Sequence, residues 1–149
     1  MVRNPDHITI AVRDVAAAVA FFGLLGFRED HVTTIDGGVP AQYMGMPEMK
    51  AEHITLGLEG SSPRFEIQLL CFDDDTLGDP PQAPSNLGRI GFNHLALRVD
   101  DLDATSAHLV ANGVPKLNEA MSFIGRRLEF FEGPEGVTIE LVEWLPVDA

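Results

Sequence analysis

From His7 to Arg13 the chain alternates around Ile8, Thr9, Ile10 and Val12, the pattern of a strand with one buried face. Asp14 follows as a helix N-cap, and the apolar run Val15–Leu25 predicts a helix that Gly26 ends. Further strands are predicted over Phe27–Thr34, Ile54–Leu58 and Phe65–Phe72, giving the order βαβββ. The second half predicts the same order. A strand over His94–Val99 leads to a helix over Leu102–Asn112, capped by Asp101 and stopped by Gly113. Strands then fit Val114–Asn118 and Arg127–Phe131, and the turn Gly133-Pro-Glu-Gly136 delivers a last strand, Val137–Trp144.

The two halves are copies. His7-Ile-Thr-Ile-Ala-Val-Arg-Asp14 returns as His94-Leu-Ala-Leu-Arg-Val-Asp-Asp101, 87 residues later, and the offset holds to Gly26 and Gly113. At the closing strands, Ile67-Gln-Leu-Leu70 matches Ile139-Glu-Leu-Val142 with an offset of 72, so the second unit is shorter by 15 residues. The missing piece corresponds to Asp36–Met49. Expected bounds are 4–72 for the first module, 91–146 for the second, and a Pro-, Gly- and Asp-rich linker over 73–90, all within one domain of 1–149.

Charge narrows the partners. A net charge of −13 with only 10 basic residues argues against nucleic acid, which demands clustered Lys and Arg. The start of the chain lacks an apolar signal core, and no apolar run approaches the length of a membrane span, about 20 residues. Cys71 is the sole cysteine, so no intrachain disulfide forms, and a cytoplasmic setting is expected.

Each copy carries metal-capable side chains at its start and its end, which implies four inward groups around one centre. Along the last strand Ile139 and Leu141 share the helix-packed face, so Glu140 points the other way, and the repeat puts Gln68 in the equivalent place. Glu66, two residues earlier, faces the same side as Gln68 and competes with it as second ligand. Two imidazoles with oxygen donors suit Zn, Ni, Co, Mn or Fe(II). A lone strand histidine is more often structural than a ligand; two at repeat-equivalent positions reverse that balance.

These residues resemble the vicinal oxygen chelate superfamily of glyoxalase I, methylmalonyl-CoA epimerase, extradiol dioxygenases and bleomycin and fosfomycin resistance proteins. The carriers are the His7–Asp14 opening, Leu24-Leu-Gly-Phe27, Asn93-His94 and Gly133–Leu141. The resemblance implies an α+β fold in which two βαβββ modules form a cupped, mostly antiparallel eight-stranded sheet with helices outside. It also implies one divalent metal on His7, Gln68, His94 and Glu140, and a homodimer. The implied chemistry is that of a lyase or isomerase: the metal chelates two neighbouring substrate oxygens, and Glu140, with Glu66 on the opposite face, moves the proton α to a carbonyl.

The ligand order is closer to the epimerase than to glyoxalase I. Scarce basic residues, however, fit neither a coenzyme A groove nor the carboxylates of glutathione. An Fe(II) ring-cleaving dioxygenase on His7, His94 and Glu140, and a metal-free ligand-binding resistance protein, are the alternatives. Three residues are candidates for binding a small-molecule substrate. One of Arg126 and Arg127 must point inward by alternation, and Tyr43 opens the Met-rich stretch Tyr43–Met49, which is either a lid or core filler. His53 reads as an ordinary strand histidine, and His31 and His108 as surface residues.

Overall fold

The computed structural model describes residues 1–73, 77–79, 87, 88 and 90–146. Its strands and helices fall into two compact units, Met1–Gly78 and Asp79–Ala149, each taken here by itself. Most of the expected linker lies outside the described residues.

In the first unit β1 (His7–Ala11) hands over to α1 (Val15–Leu24) at Asp14, whose side chain accepts from the Ala17 N–H at 2.9 Å. That bond satisfies one of the helix's orphan donors. Gly26, with φ of +88°, turns the chain out of the helix as only glycine does without strain. β2 (Phe27–Asp36) and β3 (Lys50–Leu58) form an antiparallel hairpin, and β4 (Glu66–Phe72) returns between β3 and β1. The order is β1-β4-β3-β2, with β1 and β4 parallel. Ala18 and Phe22 on α1 are fully buried, as are Leu56, Ile67 and Leu69 on the sheet. Phe22 meets Phe27 edge to face at 5.7 Å.

The hairpin between β2 and β3 carries the extra residues of the first module. They form a short helix, α2 (Gly38–Tyr43), where the sequence predicts only a loop. The insertion is pinned at its neck by the Gly37 N–H donating to the Met49 carbonyl at 2.9 Å. Ala41, Met49, Ile35, Ala51 and Leu70 then make a small core of their own.

The second unit repeats the plan: β5 (Leu95–Val99), α3 (Leu102–Ala111), β6 (Met121–Phe123), β7 (Arg126–Glu132) and β8 (Thr138–Trp144), in the order β5-β8-β7-β6. Asp101 caps α3 as Asp14 caps α1, accepting from the Ala104 N–H at 2.9 Å. Leu109 of α3 and Phe131, Ile139 and Leu141 of the sheet are fully buried.

One expected strand is misplaced. Val114–Asn118 contributes only a single bridge, Lys116 to Phe131, because Pro115 removes a donor from the ladder. The true partner of β7 is β6, closed by a tight turn in which Ile124 and Gly125 both take positive φ, 47° and 70°. The α+β class, with two βαβββ modules of four strands each, is the one expected from the sequence.

Candidate functional site

Register sets which side chains share a face. Thr9 lies opposite Gln68 on the parallel pair β1/β4, and Ala96 lies opposite Glu140 on β5/β8. Gln68 and Glu140 therefore occupy equivalent places, and Glu66 pairs with His7 one step along.

In the second module His94 Nδ1 lies 2.7 Å from the Asn93 side-chain oxygen, while the Asn93 amide nitrogen donates to the Leu87 carbonyl at 3.0 Å. That network fixes which end of the amide faces the ring, so Nδ1 carries the proton of the neutral imidazole. Nε2 is left with a lone pair, and it points at Glu140 Oε2, 3.2 Å away. Two acceptors face each other across that gap, an arrangement that calls for a cation or a proton between them. Neighbouring nitrogen and oxygen ligands, each about 2.1 Å from a shared metal, also sit about 3 Å apart. The carboxylate is largely shielded, with the Glu140 side chain 11 % exposed, while His94 is 32 % exposed with the Phe130 ring edge-on to it at 5.2 Å.

The first module repeats the orienting bond. His7 Nδ1 sits 2.7 Å from the Asp6 carboxylate, which again leaves Nε2 as the free nitrogen. Gln68 is held from both ends. Its Nε2 donates to Glu66 Oε2 at 3.1 Å, and its Oε1 lies 3.1 Å from His53 Nε2. Because a carboxylate only accepts, the amide orientation is fixed and His53 Nε2 must be the donor. Glu66 is tied in turn to Arg64, whose Nε donates at 2.6 Å and whose Nη2 pairs with Asp30. The Arg64 guanidinium, with the Gln68 amide behind it, holds the Glu66 carboxyl below its usual range. Glu66 is thus a poorer proton acceptor than the sequence alone implies.

His53 is more than a strand histidine. It lies within β3, not at its start, and with His7, Thr9 and Gln68 it floors a cavity of about 450 Å³. Tyr43 and Met44 of the insertion wall the cavity, whereas Met46 and Met49 pack with the small core beneath α2. The Met-rich stretch therefore divides between cavity wall and core filler. The signal for His53 was present in the alternation His53, Thr55, Gly57, which shares its face with Gln68.

Alternation also separates the two arginines. Arg126, opposite Trp144, shares the face of Glu140 and stacks on that ring at 4.4 Å. Arg127 lies on the other face, paired with Asp103 at 2.6 Å and Glu143 at 3.0 Å. Those carboxylates hold the Arg127 guanidinium's pKa above its usual value and occupy its donors, which removes it from the face a substrate at Glu140 would meet. Among the described residues no three His, Cys, Asp or Glu side chains converge as a ready metal cluster. No helix of the described residues is long and apolar enough to cross a membrane.

Comparison with known proteins shows the family and the fold. The family model described as Glyoxalase/Bleomycin resistance protein/Dioxygenase superfamily matches residues 4–141. The uncharacterized protein YaeR of Escherichia coli strain K12 is 32 % identical over 143 residues, 95 % of this chain and 96 % of that protein. A glyoxalase family protein from Bacillus cereus superimposes with a TM-score of 0.85 at 22 % identity, covering 98 % of this chain and 97 % of the other. A glyoxalase I variant from Zea mays gives a TM-score of 0.67 at 17 % identity, over 94 % of this chain and 45 % of that one.

Proposed function

This chain belongs to the glyoxalase/bleomycin resistance protein/dioxygenase superfamily, and from that premise we propose that it is a metal-dependent lyase or isomerase. Its reaction is removal of the proton α to the carbonyl of a small chelated substrate. The proposed ligands are His7, Gln68, His94 and Glu140, and a divalent cation among Zn, Ni, Co, Mn and Fe fits their borderline nitrogen and oxygen donors. Bound there, the ion would supply Lewis acidity to the substrate's neighbouring oxygens.

One observation carries the reading: the His94 lone pair faces the Glu140 carboxylate at 3.2 Å while the other ring nitrogen is spent on Asn93. Protein groups do the rest. Glu140, shielded from bulk water, accepts the substrate proton. Glu66, held ionised by Arg64, orients the Gln68 amide and takes no proton. Arg126, on the Glu140 face, is the arginine left to meet a substrate group; Arg127 is occupied elsewhere.

Elemental analysis after equilibrium dialysis against each metal tests the proposal. About one equivalent should be retained by the wild type and lost in His94→Ala and Glu140→Gln. Iron, together with cleavage of a catechol ring, would favour the dioxygenase instead. No retained metal under any condition would sink the enzyme reading. A metal-free binding protein is the second reading, and the first-module cavity favours it, since every described residue lining that cavity belongs to one module.

A further inference from the structure

The first-module cavity has a chemistry that narrows the substrate. Resting on the reading above for the reaction, we infer that the substrate is a small neutral carbonyl compound with an aromatic or branched hydrocarbon body, and that this cavity seats the body. Its volume, about 450 Å³, lies at the small end of the range for ligand pockets, about 300–1,000 Å³. Ile35, Leu70, Pro40 and Met44 supply apolar wall, and Met44 is unbranched and adapts to an irregular ligand. Among the described residues no Lys, Arg, Asp or Glu lines it.

The module's four cations are engaged elsewhere, Arg13 with the Leu77 and Gly78 carbonyls at 3.0 and 3.3 Å. Lys50 pairs with Asp36, Arg28 with Glu59, and Arg64 with Asp30 and Glu66. Away from the His7–Gln68 floor, where the proposed ion would sit, a phosphate or carboxylate on the substrate's body would shed its hydration with no counter-charge in return. The Thr9 and Thr33 hydroxyls both donate and accept, which suits a neutral oxygen. Pro40, Tyr43 and Met44 of the wall belong to the insertion that distinguishes the first module from the second, while Ile35 and Leu70 come from the sheet. Selection for a hydrocarbon body is thereby built in part into a segment the repeat does not explain.

Two probes with the same body separate charge from shape: benzylacetone, a neutral ketone, and hydrocinnamate, its carboxylate counterpart. Binding to the full chain is measured with EDTA present, by chemical shifts of isotope-labelled methionine methyl groups. The ketone should move the Met44 methyl, leave Met121 of the second module in place, and bind at least about tenfold tighter than the carboxylate. Thr33→Trp fills the cavity from an exposed strand position and should weaken the ketone about tenfold. Tyr43→Ala, at a side chain too exposed to matter for folding, should weaken it by a smaller factor.

Carboxylate binding as tight as ketone binding, an unmoved Met44 methyl, or undiminished affinity in both variants would overturn the inference. Metal content is read on the same preparation before EDTA is added. A protein that takes no metal but prefers the ketone overturns the enzyme reading alone; one that takes metal and rejects the ketone overturns this inference alone.

Discussion

A histidine that must offer one chosen nitrogen needs a partner for the other, and both strand-start histidines carry theirs one residue upstream. Asp6 and Asn93 hold the Nδ1 atoms of His7 and His94 at the same 2.7 Å. Replacing either with alanine should lower metal affinity about 10–100-fold without unfolding the protein, which a competitive chelator titration measures. Glu66 offers a different test. Its folded-state pKa lies below the ordinary 4.5, so its contribution to stability is complete above that value and is lost as pH falls through the depressed one. Urea melts of wild type and Glu66→Gln should therefore differ near neutrality and converge as pH falls from 4.5 through the depressed value. The pairing of Gln68 with Glu140 was legible from the repeat offset alone. The role of His53 was legible only in part: alternation sets it on the face of Gln68, but a strand begun at Ile54 leaves it on the rim, whereas β3 begins at Lys50.

At the scale of elements, legibility followed how far each segment obeys local chemistry. Both long helices were readable because Asp14 and Asp101 cap them and Gly26 and Gly113 end them. Asp14→Ala should cost about 1 kcal/mol in a denaturant titration, the usual worth of an N-cap. The helix α2 was hidden, since Gly37-Gly38-Val-Pro40 has the composition of a loop and six residues are too few to hold a helix alone. Burial of Ala41 against Ile35, Met49 and Leu70 is what fixes it. The β6–β7 hairpin was hidden for the opposite reason. Its turn puts a β-branched residue, Ile124, at positive φ, where Asn or Gly is the usual occupant. Ile124 is 75 % exposed and contributes no packing to offset that strain. Ile124→Asn should accordingly stabilise the protein by about 1 kcal/mol, seen as a raised urea midpoint at unchanged slope.

For the molecule as a whole, a net charge of −13 means that self-repulsion outweighs its surface ion pairs, each worth at most about 1 kcal/mol. Raising salt from roughly 10 to 150 mM shortens the screening length from about 30 to 8 Å, and the melting temperature should rise by a few degrees. A fall would show that pairs such as Arg64 with Glu66 and Asp30 dominate instead. The duplication itself was the most legible property, because it repeats caps, helix stops and closing strands at fixed offsets. The place of the single-copy insertion was legible from the change of offset, whereas its helix and its cavity were not, having no counterpart to be compared with. The placement of two rings gives this duplicated chain a practical asymmetry. Its sole tyrosine, Tyr43, stands on α2 almost fully exposed, so its environment barely changes on unfolding, whereas its sole tryptophan, Trp144, stacks with Arg126 on β8. Emission from the indole therefore follows the second half by itself. Set against the far-ultraviolet signal of the whole backbone, it shows from the unmodified protein whether the halves melt together or in sequence.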